Sequence, residues 1–357
     1  MSTQLLTDQS VRPLDTITLE SPLDMHLHLR QGRMLERVLP ASAKHFAGAV
    51  IMPNLLPPIT SLEALKTYRD DIMALVQGDG DAFEPYMTLF FRDYNHAELQ
   101  AAKDHLIGIK LYPDGVTTNS AGGVRSLQDY HHTLAAMADL GIPLLVHGET
   151  DGFVLDRERD FLAQYRYLAQ TFPELTIVME HITTREAAEL LDDYANLHAT
   201  ITVHHLLITL NDVVGGLLRP HLFCKPIAKR PEDRAALLAL AVNAHPKVMF
   251  GSDSAPHPRH AKEACGCAAG VFSAPAALPL LVDLFEQQGA LANLPAFVSG
   301  NAQRIYDLTP VRKQVTLVRQ AWQVDDALDD APAADKVTMF AGGETLAWQV
   351  QDVQVLV

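Results

Sequence analysis

The sequence predicts an α/β fold, a (β/α)8 barrel of the TIM type with a small C-terminal appendage. Two observations carry that prediction. Eight short apolar runs alternate with helical stretches between Asp24 and Gln287. Strand–helix alternation implies a parallel sheet, and eight such units close into a barrel. No G-x-G-x-x-G follows the first of these strands, which argues against a doubly wound open sheet. At 357 residues the chain suffices for one large domain or two small ones.

A lead-in strand at Asp15 to Glu20 comes first, then the Pro22 turn. The first barrel strand is Asp24-Met25-His26-Leu27-His28-Leu29-Arg30, where apolar and polar residues alternate. Side chains two apart share a face, so His26, His28 and Arg30 are expected to point the same way. A helix follows near Met34 to Phe46. The run Gly48 to Asn54 is apolar on both faces, as a strand buried in a parallel sheet must be. Ser61 caps a helix to about Gln77, with Glu63 in its first turn, and Gly78-Asp79-Gly80-Asp81 breaks it. Further strands are predicted at Tyr86 to Phe91, Ile107 to Tyr112, Ile142 to His147, Thr176 to His181, Ala199 to His204 and Lys247 to Ser252. Helices are predicted near His96 to His105, Leu127 to Leu140, Arg159 to Thr171, Thr184 to Tyr194, Glu232 to Ala244 and Ala276 to Gln287. Two long connections, Asp114 to Arg125 and Leu206 to Pro231, have the length of lids or binding loops. The barrel is assigned to residues 1–310. Residues 311–357 read as an appendage packed on it, with strand-like pieces near Val315 to Val324, Lys336 to Phe340 and Leu346 to Val350, and an acidic turn at Asp325 to Asp330.

Composition narrows the function. A net charge of −15 argues against a nucleic-acid partner, which would want a basic face. No apolar run reaches the ~18 residues of a membrane span, and Met1 to Ser10 carries no secretory pattern. Three cysteines, Cys224, Cys265 and Cys267, fit a reducing cytoplasm better than a disulfide framework. The C-x-C pair reads as small residues in a Gly266 turn rather than a metal site.

In such a barrel, chemistry sits at the C-terminal ends of the strands. Those ends carry His26 and His28, Asn54, Lys110, His147, His181 and Asp253. Neutral imidazoles and a carboxylate are ligands for zinc and similar ions. H-x-H alone is equally compatible with two ordinary histidines on a half-buried strand. Lys110 is the odd member, since an ammonium ion would repel a cation and an apolar strand disfavours charge. A neutral amine can take up carbon dioxide and become a carbamate, a carboxylate on a long arm. A plain buried lysine paired with an acid remains the alternative on spacing alone.

The motifs D-M-H-L-H-L-R, G-I-K-L-Y-P, V-H-G-E, E-H-I-T-T and G-S-D-S-A-P-H occur in order. Together they resemble the dihydroorotases, in their shorter bacterial class within the amidohydrolase superfamily, over about Leu14 to Tyr306. The resemblance implies that one metal takes His26, His28 and Asp253 and a second takes His147 and His181. A carboxylated Lys110 and a hydroxide would bridge the two. It implies the reversible cyclisation of N-carbamoyl-L-aspartate to L-dihydroorotate plus water, in de novo pyrimidine biosynthesis, with two divalent ions per chain, zinc first among them. Asp253 would also shuttle the proton between the attacking water and the amide nitrogen. The guanidinium fork of Arg30 can grip the substrate carboxylate bidentately; by resemblance Asn54 and His257 complete that grip. Thr117 and Thr118 resemble the tip of a closing lid. Backbone groups at Lys225 and Ala268 are expected at the pyrimidine edge, although Lys225 stands where an apolar residue is expected. A cytoplasmic homodimer with a small anionic substrate, and with no nucleic-acid or membrane partner, is the corresponding expectation.

The remaining histidines are given no ligand role. His131 and His132 read as surface residues, His204 and His205 end a strand, and His221 and His260 read as parts of the pocket wall. Glu149 and Glu180 flank the metal histidines, and each reads either as a group that orients its neighbour or as simply exposed. Two rival readings are a cyclic amidohydrolase for neutral rings, such as a dihydropyrimidinase or hydantoinase, and a catalytically dead barrel used as a scaffold. The carboxylate grip argues against the first and the intact ligand set against the second.

Overall fold

The computed structural model describes residues 15–79, 82–120, 122–329 and 331–356. Met1 to Ser10, the Gly80-Asp81 break and Asp330 lie outside them. The strands are β1 (Thr16–Glu20), β2 (Leu23–Leu27), β3 (Gly48–Ile51), β4 (Glu84–Phe90), β5 (Gly108–Leu111), β6 (Leu144–Val146), β7 (Ile177–Met179), β8 (Leu197–Ile201), β9 (Val248–Phe250), β10 (Lys313–Gln323) and β11 (Thr345–Val355). Strands β2 to β9 form one eight-stranded sheet in sequence order. All its neighbours are parallel. A parallel bridge from Leu27 to Ser254 joins its two edges, and the Asp253 amide donates to the His26 carbonyl at 2.8 Å. The predicted barrel is therefore what the chain builds.

Its interior has two layers. Leu23, Met25, Val50, Leu145, Val178 and Met249 form an apolar plug, closed from below by Tyr86, Ile107, Ile305 and Tyr306. The alternate residues of the same strands, such as Ile51, Ile109, Leu144, Val146, Ile177 and Phe250, face outward into the helix-covered core. Period-two alternation explains this split. Above the plug the inward positions turn polar, and that change of residue type creates the site.

The helices follow their caps. Ser61 Oγ accepts from the Ala64 amide at 3.2 Å, and the helix runs Leu62–Asp79. Asn95 and Glu98 form a reciprocal cap on the helix His96–Ala102.

Two expectations need correction. The strand expected to reach His204 stops at Ile201, because Thr202 caps a short helix, Val203–Leu207, that takes both histidines. Lys336 to Phe340 is not a strand; only an isolated bridge, Ala327 to Thr338, forms there. The lead-in strand forms as expected, and β1 pairs antiparallel with β10, which pairs with β11. This three-stranded layer is thus built from both ends of the described chain. It seats on the helix Ala277–Gln287, where the indole of fully buried Trp348 donates to Glu286 Oε2 at 3.0 Å.

Candidate active site

His26 owes its direction to an irregularity rather than to alternation. Leu23 and Asp24 pair with Gly48 and Ala49, but Leu27 pairs with Ile51. One extra residue sits in β2. Such a bulge re-aims the residues after it. Met25 faces the plug, Leu27 and Leu29 face outward, and His26 and His28 therefore enter the mouth. Gly251 makes room, since a Cβ there would lie 3.0 Å from the Cβ atoms of both His26 and Thr200. Asp24 fixes the seam of the barrel. Its carboxylate accepts from the Ser252 amide at 2.7 Å and the Ser252 hydroxyl at 2.5 Å. Burial pushes the Asp24 pKa up to about 7.

The cleft is lined by His26, His28, Arg30, Asn54, Tyr112, Thr117, Thr118, His147, His181, Lys225 and Asp253, with Ala255, Ala269 and Gly270. Larger hollows lie elsewhere, including one beneath the barrel floor around Tyr86 and Tyr306. The barrel mouth is the one that carries convergent chemistry.

One ligand atom each from His26, His28 and Asp253 lies within 4.8 Å of the others. His28 Nε2 is 3.1 Å and His26 Nε2 3.5 Å from Asp253 Oδ1. Burial pushes both histidines below their ordinary pKa, His28 well below, so they are neutral imidazoles. His26 Nδ1 sits 2.8 Å from Glu180 Oε2. The hydrogen on Nδ1 then donates to the carboxylate and leaves the Nε2 lone pair facing the cleft. Glu180 is held in turn by the Thr200 hydroxyl at 2.6 Å.

A second cluster stands opposite. His147 Nδ1 lies 3.2 Å from His181 Nε2, and His147 Nε2 is 2.8 Å from Glu149 Oε2. Burial, then His147, pushes the His181 pKa well down. With Nε2–H donating to Glu149, His147 presents a bare Nδ1 lone pair toward the other ring. The ring centroids of His26 and His181 are 4.9 Å apart, so the two clusters are adjacent.

Lys110 lies at 0% exposure, and its Nζ has no hydrogen-bond partner among the described residues. Burial pulls its pKa down to about 8. The acid partner of the plain buried-lysine reading is missing. His181 Nδ1 is likewise unpartnered. Buried polar atoms without partners call for an explanation. Divalent cations between these nitrogens and carboxylates, with an acidic group on Lys110, would satisfy the cluster as it stands. The donor set therefore fits a metal site.

The far wall of the cleft is cationic. Arg30 is not a strand residue, since its φ is 60° and β2 has ended. Its Nε donates to the Pro256 carbonyl at 3.2 Å, and Nη2 lies 3.0 Å from His257 Nε2. His257 meets Arg30 rather than the cleft itself, and burial pushes its pKa down to about 3. Ala268 is not a lining residue. Its amide donates to the Ala261 carbonyl and its own carbonyl accepts from Lys262; Ala269 and Gly270 line the cleft instead.

The loop after β5 is folded over the mouth. Asn54 Nδ2 donates to the Thr118 carbonyl at 3.1 Å, and Asn119 Nδ2 to the Asn54 carbonyl at 3.0 Å. Lys225 Nζ donates to the Val116 carbonyl at 2.7 Å. Lys225 thus touches the loop through its side chain, which a backbone-only contact did not anticipate. Tyr112 also lines the cleft, a position to which the sequence alone assigns no role. It follows β5, two residues beyond Lys110, and that spacing is its signal in the sequence. His221 and His260 do not line the cleft; they pair with Glu263 and the Ala334 carbonyl.

Residues 85–308 match the model of the Amidohydrolase family. The chain is 46% identical over 346 residues to a dihydroorotase of Laribacter hongkongensis, an alignment that covers 94% of this chain and 99% of that one. A dihydroorotase crystal structure from Campylobacter jejuni superposes with a TM-score of 0.90 at 53% identity, covering 97% of this chain and 99% of that chain. A dihydroorotase of Saccharomyces cerevisiae in complex with 5-fluoroorotic acid superposes with a TM-score of 0.88 at 34% identity, covering 95% and 99%.

Proposed function

The chain belongs to the dihydroorotase family of metal-dependent amidohydrolases, and from that premise we propose how its own residues divide the reversible cyclisation of N-carbamoyl-L-aspartate to L-dihydroorotate and water in pyrimidine biosynthesis. His26, His28 and Asp253 would hold one divalent ion, His147 and His181 a second, and a carboxylated Lys110 would stand between them. A bound pair of this kind supplies Lewis acidity toward the scissile carbonyl and lowers the pKa of water. Zinc suits the imidazole and carboxylate donors. In ring opening, Asp253 takes the proton of the attacking water and delivers it to the departing amide nitrogen; in ring closure the same proton travels back. Glu180 and Glu149 fix the tautomers of His26 and His147. The cytoplasm and a homodimer complete the reading, and size determination in solution checks the second.

The observation that carries the substrate assignment is the position of Arg30. Its guanidinium is pinned by Pro256 and His257 and lines the same cleft as His26, His28 and Asp253. A carboxylate beside the ring amide is the group such a fork selects. Asn54 and His257 support that grip. Dihydroorotate, which carries this carboxylate, is expected to be turned over far better than dihydrouracil, which lacks it. Arg30→Met removes a charge-assisted contact worth about 1.5–3 kcal/mol. It should lower kcat/KM for dihydroorotate about 10–100-fold and leave dihydrouracil unaffected. Equal losses on both rings would remove the assignment.

Thr117 and Thr118 exclude water and face the ring, and Lys225 latches their loop. Lys225→Met should raise KM for dihydroorotate about tenfold, the worth of one charged hydrogen bond, with a smaller change in kcat. An unchanged KM would show that the loop closes without the latch.

A further inference from the structure

Next to the cleft, three side chains that the catalytic reading does not use meet in the interior. The short helix after β8 carries His204 and His205, and the segment Phe223 to Pro226 brings Cys224 against them. Their exposures are 0%, 3% and 1%. One ligand-capable atom of each lies within 4.8 Å of the other two. His205 Nε2 is 3.5 Å from Cys224 Sγ. A tetrahedral zinc ion with Zn–N of about 2.1 Å and Zn–S of about 2.3 Å holds its nitrogen and sulfur ligands about 3.6 Å apart. The Pro226 carbonyl lies 3.0 Å from that nitrogen and 3.2 Å from that sulfur.

The independent observation is His204. Both of its ring nitrogens are buried without a hydrogen-bond partner among the described residues. A hydrogen-bonded cluster can satisfy His205 and Cys224, with Nε2–H and the thiol both directed at the Pro226 carbonyl, but it leaves His204 with nothing. Buried polar atoms in that state are rare in folded proteins.

We propose that His204, His205 and Cys224 form a third zinc site, separate from the catalytic pair, with the Pro226 carbonyl as its fourth ligand. The tautomer follows from Thr202. Its Oγ1 accepts the His205 amide at 3.0 Å and lies 2.8 Å from Nδ1. A hydrogen on Nδ1 donated to that oxygen leaves the Nε2 lone pair for the metal. Binding releases the thiol proton of Cys224, because a coordinated thiol is deprotonated. The ion would tie the helix after β8 to the segment that carries Lys225, and so brace the latch of the lid. This inference stands apart from the substrate assignment and survives its failure.

Cobalt substitution of the full-length protein tests it. The proposed catalytic ligands contain no sulfur, so a near-ultraviolet thiolate-to-cobalt charge-transfer band reports the third site alone. The expected result is that band, with one cobalt per chain beyond the catalytic pair. Cys224→Ser and His204→Gln should each lose the band and the third cobalt while keeping the other two. The double variant Cys265→Ser, Cys267→Ser should keep both. A wild-type protein with its catalytic pair filled and no such band overturns the proposal, and so does a band that disappears with Cys265 and Cys267. Should Cys224→Ser fail to fold, the wild-type spectrum and the double variant still decide.

Discussion

Lys110→Ala is expected to lower turnover by about a thousandfold or more and to weaken metal binding, and short carboxylic acids such as acetate or propionate should restore part of the activity. The amine sits at 0% exposure with no hydrogen-bond partner among the described residues, 5.2 Å from the centroid of the Tyr112 ring. Burial brings its pKa down to about 8, so a substantial fraction is neutral at physiological pH, and that fraction grows as pH rises through the value. Only the neutral amine reacts with carbon dioxide. The nitrogen lone pair forms the C–N bond, one proton leaves, and the product is a carbamate anion. In the proposed centre, losing this anion would remove charge that the cation pair needs, and metal-derived stabilisation of the transition state is worth several kcal/mol. That corresponds to at least a thousandfold. A free carboxylate can enter the space left by the alanine. Activity and metal content, measured with and without added acid, decide. Full activity in the variant with no additive would end the bridging role.

Asp253→Asn is expected to lower kcat about 10²–10⁴-fold, the usual span for a positioned proton carrier, while binding of dihydroorotate changes only a few-fold. The residue has φ 42°, a left-handed backbone that asparagine tolerates as well as aspartate. The substitution therefore tests the carboxylate without straining the turn. The amide can still ligate through oxygen but cannot take up the proton. Turnover within tenfold of the unaltered protein, at full metal occupancy, would place the proton path elsewhere. A parallel loss of metal would assign the defect to ligation, which is why metal content is measured on the same sample.

The barrel was legible because its inside and outside faces obey a period of two, and that rule acts within each strand. Val50 and Met52, Leu145 and His147, and Met249 and Gly251 can each be placed from their own neighbours. The rule breaks within β2, where the bulge puts both Met25 and His26 inward; His26, His28 and Arg30 share the cleft as their spacing suggests, but Arg30 reaches it on left-handed backbone beyond the strand. Helix Val203–Leu207 is hard to read from the sequence because strand-like residues run up to it, and the Thr202 cap marks the boundary. Glu180 and Glu149 were visible as candidates, but their choice of ring nitrogen was not.

The sequence by itself determined the kind of fold and the identity of the groups at the strand ends, since both follow from local patterns of residue type. The tertiary structure alone decided which way those groups face and what they meet. His181, Asp253 and Arg30 all sit at positive φ, a conformation that costs about 1–3 kcal/mol for residues other than glycine and that no local preference selects. It persists because the closed barrel fixes both ends of each short segment. Likewise, the buried amine of Lys110, the loop held by Lys225 and the meeting of His204 with Cys224 exist only where distant parts of the chain share a low-dielectric interior.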